Sequence, residues 1–383
     1  MNAIRKSGTG VINRIRKASA DNRVDRDFSF EVGRTSRQVL RKLLVVCGKV
    51  GKENTALYKS KAREIGADFI SETGSSWVST HKIVKKNFEP SKHAGILLLG
   101  NNKQLPATPL TYQGVFGFTD WFLQDTTGDG TPDSPVGRVF GQPDTILSHM
   151  DPMIIDSDIA IIFDSQPGRS TRHVECLLDL GFDVEILKRF TQEDAKLLGI
   201  TEFILQFSDG IFTSRIHGTP EKWASNDSVI LSAQHVSTIR FQGYPVVYSE
   251  ACCTAQEGPL LKAFLKQGVC YIGATLDTMN NTEPFENWND CAFSDGWKYG
   301  FLDLLDTHNL IGQVKTQVDR ALHEHLDAKY KCEIDNISNG KSNELESVQA
   351  VSTIEWVLFG NPLRRTTVGP NADFTPGTIV VDT

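Results

Sequence analysis

Two adjacent cysteines follow a short apolar run in the stretch YPVVYSEACCTAQEG, residues 244–258. A second apolar run, GIFTSRI, leads into His217 and Gly218. If the two runs are neighbouring parallel strands, their carboxyl ends meet at one edge of a sheet and bring an imidazole next to a thiol. A histidine in that position accepts the proton of a cysteine nucleophile or lowers its pKa. The pattern therefore indicates nucleophilic chemistry by a Cys-His pair.

Gly218 has a role in the same chemistry. Without a side chain in the way, its N–H can hold the oxyanion of a tetrahedral intermediate together with the N–H of Cys252. The residues alone leave a plainer alternative open, because free cysteines also pack as small hydrophobic side chains. A disulfide between Cys252 and Cys253 is disfavoured, since the small ring would strain the peptide between them.

The composition is that of an ordinary globular protein, with 39% hydrophobic and 23% charged residues and a net charge of -7. It gives no reason to expect nucleic acid as a partner. There is no apolar run long enough for a membrane span and no secretory signal pattern, so no membrane partner is expected. The seven cysteines have no disulfide-like spacing and no CxxC pair. These features predict a cytoplasmic protein without a structural zinc site.

The elements that must position the pair follow a strand-helix-strand rhythm, which is typical of a parallel α/β sheet. We divide the chain into a basic flexible arm or leader (1–37), an N-terminal α/β subdomain (38–150), a larger α/β subdomain carrying the Cys-His pair (151–366) and a C-terminal tail (367–383). The segment joining the two subdomains contains the proline and polar residues expected of a boundary. The stretch NISNGKSNELES near the end is predicted to be a loop.

An apolar strand leading into His-Gly, followed by another leading into Ala-Cys, resembles the caspase-like (clan CD) cysteine peptidases, in particular the gingipain type, with the related CHAT domains second. The stretches that carry the resemblance are HAGILLLGNNKQLP, FTDWFLQDTTGDGTPDSPVGRV, HGTPEKWA, LLKAFLKQGVCYIGAT and EWVLFGNPLRR. They cover roughly residues 90 to 366 in the expected order. Asn361 stands where the last motif of the family has aspartate.

The resemblance implies a caspase-like three-layer α/β sandwich with a mostly parallel sheet, preceded by the smaller subdomain. It implies that Cys252, directly after Ala251, is the nucleophile and His217 its partner, while Cys253 points elsewhere. A third residue often orients the histidine. Asp164 is the nearest carboxylate to the matching position, although a simple strand-end cap explains it equally well. No organic cofactor is expected.

Three residues near the predicted pair are candidates for substrate binding. Asp277, just after YIGAT, has the charge to neutralise a basic P1 side chain, although an exposed loop carboxylate is the plainer interpretation. Glu250 alternates with Cys252 along the strand and is a candidate for the wall of the site. Trp223 is the tryptophan that follows the His-Gly segment in the resemblance.

The stretch DTTGDGTPD, residues 125–133, resembles the opening of a calcium loop. Its candidate ligands are Asp125, Thr127, Asp129 and Asp133, and gingipain-like proteins bind calcium. The glutamate expected at the twelfth position is missing, since Val136 stands there. An Asx-rich turn without metal is the alternative.

The leading hypothesis is a cysteine endopeptidase that cleaves proteins or peptides through a thioester. A catalytically weak regulatory protein and an acyl-transfer enzyme using the same dyad remain alternatives. Because an unregulated cytoplasmic protease is hazardous, we expect control by an activating partner or by cleavage of the basic arm.

Overall fold

The computed structural model describes most of the chain after residue 40. The described residues are 41–71, 74–151, 154–155, 159–163, 171–187, 203–206, 216–225, 228–241, 245–279, 287–291, 294–305 and 310–366. The predicted arm, the predicted tail and Asp164 lie outside them. No helix in these ranges is long and apolar enough to cross a bilayer.

Ten strands form one large sheet. In spatial order they are β2 (Asp68–Ile70), β1 (Lys42–Cys47), β3 (His93–Leu99), β6 (Val136–Val139), β17 (Trp356–Phe359), β15 (Cys270–Ala274), β14 (Val246–Ser249), β10 (Phe203–Gln206), β8 (Ile159–Phe163) and β9 (Asp183–Leu187). Strands β2, β1, β3 and β6 pair in parallel, as do β15, β14, β10, β8 and β9, whereas β17 runs antiparallel to β15. The predicted mostly parallel α/β sheet is confirmed.

Smaller sheets and helices complete the described architecture. The other strands are β4 (Thr108–Tyr112), β5 (Val115–Thr119), β7 (Ile154–Ile155), β11 (Ile216–Thr219), β12 (Lys222–Ser225), β13 (Ser228–Ser232), β16 (Glu344–Leu345) and β18 (Arg365–Thr366). The helices are α1 (Lys52–Glu64), α2 (Trp77–Asn87), α3 (Pro143–Met150), α4 (Thr171–Asp179), α5 (Ala233–Thr238), α6 (Pro259–Lys266), α7 (Ser294–Leu305), α8 (Ile311–His325), α9 (Ala328–Ser338) and α10 (Val348–Ile354).

Helices cover both faces of the sheet, because its central strands are apolar on both sides. On one face α5 and α6 pack onto alternate residues of β8, β14, β15 and β17. On the other face α4, α7 and α8 pack onto the remaining residues, where Tyr248, Trp297 and Trp356 stack with ring centroids 4.7–5.7 Å apart. These are the three layers that the sequence predicted.

One predicted element differs from the structure. The sequence predicts that the segment before His217 is a parallel neighbour of β14, the strand before Cys252. In the structure the parallel neighbours of β14 are β10 and β15. His217 lies within β11, in an antiparallel ribbon with β12 and β13. The chain reverses tightly at Pro220, so that Thr219 pairs with Lys222. Residues 210–215 of the expected strand lie outside the described residues.

The predicted loop near residue 337 is also wrong at its start, because α9 extends to Ser338. Ile334 and Ile337, three residues apart, are both buried and hold this helix on the core. The division into two subdomains stays a prediction. The sheet continues across the predicted boundary through the pair of Arg138 on β6 with Phe359 on β17.

Arg138 is the principal buried cation near that junction. Its guanidinium donates to both carboxylate oxygens of Asp120 at 2.7 Å, and to the carbonyl oxygens of Gly100 and Leu105 at 3.0 and 2.7 Å. The Arg138 side chain is fully buried. A buried ion pair of this kind fixes the local conformation. Removal of one partner destabilises the fold, because the other charge stays buried without a counter-ion.

We expect Arg138→Leu to lower the free energy of unfolding by about 3–5 kcal/mol, because Asp120 would stay buried without its cation. Arg320→Leu is the matched control. Arg320 pairs with Glu324 in solvent, and its loss should cost less than about 1 kcal/mol. Urea denaturation measures both, and equal losses would contradict the assignment.

Candidate active site

Cys252 lies just beyond the carboxyl end of β14, where Ala251 begins a turn. Its partly buried thiol faces Thr278. The N–H of Thr278 donates to Sγ at 3.3 Å, and the Thr278 hydroxyl oxygen lies 3.5 Å from Sγ. That hydroxyl donates in turn to the carbonyl oxygen of Glu250 at 2.7 Å. Thr278 therefore ties the thiol to the end of its own strand.

Burial raises the pKa of the Cys252 thiol. Hydrogen bonding from Thr278 opposes this shift, while the negative charge of Asp277 adds to it. The substrate-free site thus holds a protonated thiol, whose proton must leave before or during attack on a substrate.

Cys253 turns away from Cys252. Its backbone has a φ of 57°, its N–H donates to the carbonyl oxygen of Leu276 at 2.9 Å, and its thiol donates to Asp277 at 3.4 Å. Burial raises the pKa of the Cys253 thiol strongly, and Asp277 raises it further. The two thiols therefore have different partners, Thr278 and Asp277.

Gly218 brings the histidine segment to the cysteine. A Cβ built on Gly218 would collide with the carbonyl oxygen of Cys252 and lie 2.7 Å from the carbonyl carbon of Ala251. Only glycine permits this approach of the two backbones. The ribbon is fixed a second time where the N–H of Leu260 donates to the carbonyl oxygen of Pro220 at 2.9 Å. His217, next to Gly218 on β11, is exposed.

The N–H of Cys252 donates no hydrogen bond within the described ranges of the chain. This N–H lies in the turn that follows β14, beside the contact of Gly218 with the main chain of Ala251 and Cys252. A backbone donor at that place has the chemistry of one half of an oxyanion hole.

Glu250 does not line the site as the sequence suggested. The residue is 0% exposed, and its carboxylate lies 3.1 Å from the ammonium of Lys298, which also pairs with Asp295 at 2.8 Å. Burial alone would lower the pKa of Lys298, but the charges of Glu250 and Asp295 outweigh it and raise that pKa. Glu250 supports the cysteine loop from inside the fold.

The other predicted residues fall in different places. Trp223 is a core residue, fully buried against the rings of Phe163 and Phe264, and is therefore not placed to touch a substrate. Asp277 is half-buried beside both cysteines.

The four candidate calcium ligands do not converge. Asp125 accepts from the N–H groups of Gly128 and Gly130, at 2.5 and 3.2 Å. Asp129 accepts from the N–H of Thr131 at 2.9 Å, and the carboxylate of Asp133 from the N–H of Thr127 at 2.9 Å. No cluster of three or more His, Cys, Asp or Glu among the described residues could hold a metal. These hydrogen bonds are those of an Asx-rich turn, and the calcium site stays a prediction.

In that turn, the hydrogen bonds together have a larger effect than burial on the pKa of Asp133. Burial acts to raise the pKa of Asp133, but hydrogen bonds from Ser134 and Thr126 outweigh it and lower that pKa. The carboxylate is stabilised by the loop it closes.

Sequence reasoning missed Thr278 and Glu355. Glu355 is fully buried directly before β17, and within the described ranges its carboxylate has no cation partner. Burial raises its pKa well above the usual value, and Asp277 adds to the shift. A charged residue entering the apolar run WVLF was a visible signal for Glu355, whereas nothing in the sequence distinguishes Thr278.

Comparison with solved structures identifies the fold. A structure titled "Structure of Protease" has a TM-score of 0.56, and the Arg-specific cysteine proteinase gingipain R has a TM-score of 0.58. Each is 13% identical and covers 85% of this chain and 78% of its own. The chain has the gingipain-type, caspase-like fold. No protein-family model matches the sequence, and neither does any curated protein.

Iodoacetamide should alkylate Cys252 more slowly than the exposed Cys332 at neutral pH, because burial raises the pKa of the Cys252 thiol. The rate should climb with pH as the thiolate fraction grows, about tenfold per unit below the pKa. Cys253 should react at still higher pH. Peptide mapping by mass spectrometry follows all three. A Cys252 that reacts faster than Cys332 at neutral pH would show that burial does not control its reactivity.

Proposed function

We propose that this protein is a cysteine endopeptidase in which Cys252 is the nucleophile and His217 its proton acceptor. One observation carries the proposal: Gly218 packs directly on the main chain at Cys252, beside the exposed His217. The arrangement occurs on a fold shared with cysteine proteinases. Asp164, as the orienting carboxylate, remains part of the proposal.

In the reaction, Sγ of Cys252 attacks the carbonyl carbon of the scissile peptide while the thiol proton passes to His217. The tetrahedral oxyanion is held by the N–H groups of Cys252 and Gly218. The intermediate collapses to a thioester as the amine leaves with the proton from His217. Water, deprotonated by His217, then attacks the thioester and restores the thiol. The side chains of this chain supply every proton transfer.

Asp277 is proposed to select a basic P1 side chain. Its carboxylate lies beside both cysteines and retains partial exposure. An arginine or lysine side chain would find a favourable charge there.

Control of the activity and its place in the cell are part of the same proposal. All seven cysteines are free, which suits a reducing compartment such as the cytoplasm. The raised pKa of Cys252 favours a resting form that needs an activating partner or removal of the basic arm. A catalytically weak regulatory protein would also have a raised pKa at Cys252.

The decisive experiment is a peptide-library cleavage assay on wild type, Cys252→Ala and Cys253→Ala. Cys252→Ala should abolish cleavage, since no thioester can form. Cys253→Ala should retain most of it, because that thiol faces Asp277. Melting temperatures confirm that each variant folds.

Labelling with a peptidyl electrophile is a second measurement, which detects a reactive Cys252 thiol without requiring turnover. Labelling of Cys252 without cleavage would indicate a latent enzyme, and absence of both would reject the peptidase. Cleavage of small acyl thioesters but not of peptides would instead establish an acyl-transfer enzyme.

Asp277→Asn should lower kcat/KM for peptides with arginine or lysine at P1 by roughly 10–100-fold, the value of a hydrogen bond to a charged group. Peptides with leucine at P1 serve as the control and should lose no activity, because loss of the Asp277 charge also lowers the pKa of the Cys252 thiol. An equal loss on both peptide classes would assign Asp277 to the structure of the loop instead of to specificity.

A further inference from the structure

A groove of about 580 Å³ lies along β2, at the outer edge of the large sheet. One side of β2 pairs with β1, and the other side has no strand partner within the described residues. Ala67, Phe69 and Ile70, all half-buried, form an apolar floor. An unpaired edge of this kind is a template for another strand.

The groove is basic although the protein as a whole carries a net charge of -7. Its basic residues are Lys42, Lys59, Arg63, Lys86 and Lys92, and its acidic residues are Asp68 and Glu89.

Only part of this positive charge is neutralised. Asp68 pairs with Lys92 at 2.7 Å and with Lys42 at 3.6 Å. Lys59, Arg63 and Lys86 form no ion pair within the described part of the chain. The groove thus has an unbalanced positive charge.

The unpaired cations lie on both sides of β2. Lys59 and Arg63 belong to α1, which packs on one face of the sheet through Tyr58 and Ala62. Lys86 belongs to α2, which packs on the opposite face through Val84. In an added strand, successive side chains would point alternately toward α1 and toward α2. Acidic side chains on either face would meet a cation.

We propose that this groove binds an extended, acidic segment of a partner protein as an additional strand along β2. The edge of β2 supplies main-chain hydrogen bonds, and the basic side chains of α1 and α2 favour an acidic segment. A nucleic acid would use the charge but not the strand edge. The inference does not depend on the proposed peptidase activity.

The groove is remote from Cys252. The loops after β3 and β14 meet where the N–H of Asn102 donates to Glu257 at 2.5 Å, so the carboxyl ends of both strands lie at one edge of the sheet. The groove includes Lys42, Asp68 and Lys92, at or just before the amino ends of β1, β2 and β3. A bound segment would leave the cysteine accessible.

Fluorescence anisotropy tests the proposal on the full chain with a labelled heptapeptide in which pairs of glutamates alternate with pairs of valines, so that both faces of the extended peptide carry glutamate. The double variant K59E/K86E reverses one charge on each face and should weaken binding at least about tenfold. The control K262E/K266E changes two exposed lysines outside the groove and should stay within about twofold. High salt should weaken binding by the wild type.

Two further probes separate strand addition from simple charge attraction. The same peptide methylated on every main-chain nitrogen should lose binding, because neither edge of the extended peptide can then donate hydrogen bonds to β2. Equal binding of the methylated peptide, equal affinities of the two double variants, or no binding by wild type would each overturn the proposal. So would tighter, K59E/K86E-sensitive binding of a single-stranded RNA.

Discussion

The contact between Gly218 and the main chain of Ala251 and Cys252 is the constraint on which the candidate site depends. Two segments from different sheets meet there, one from the antiparallel ribbon and one from the end of β14. A side chain at position 218 would push them apart, because the built Cβ overlaps the carbonyl oxygen of Cys252 and the carbonyl carbon of Ala251. The hydrogen bond from Leu260 to Pro220 and the buried Trp223 hold the ribbon in that position. Backbone packing therefore brings the segment that carries His217 to the segment that carries Cys252.

Behind the cysteine, polar groups that a core would ordinarily exclude hold the loop in place. Glu250 has its carboxylate on Lys298 and its carbonyl oxygen on the hydroxyl of Thr278, and Thr278 contacts the thiol. Each of these groups is satisfied by the next, which is the condition under which a buried polar network orders a structure. Removal of one member would leave the others buried without partners. The same chain of contacts thus fixes both the strand end and the orientation of Sγ.

The elements of the large sheet could be predicted because they are local in sequence. Apolar runs such as HAGILLLG define buried strands, and Gly181, with a φ of 91°, follows α4 in a backbone conformation that favours glycine. The approach of the His-Gly segment to the cysteine comes from an antiparallel ribbon and not from the predicted parallel neighbour, since strand order depends on contacts far apart in the chain and alternation of residue types does not encode it. The sequence positions of Glu250 and Trp223 predict a role in substrate binding, which their burial contradicts. Burial decides their roles, and burial is set by the packing of helices that the local pattern does not specify.

The electrostatics of the site suggest how a raised thiol pKa is compatible with the proposed peptidase activity. Asp277 and the buried Glu355 lie near the thiol, and both disfavour its thiolate. Lys298, a described cation of the adjoining buried network, is already paired with Glu250 and Asp295. A positively charged substrate side chain beside Asp277 would offset this negative potential at the moment of binding, and the thiol pKa would fall. In that case the substrate itself completes the electrostatics of the nucleophile, so selection of a basic residue and activation of Cys252 would be a single event.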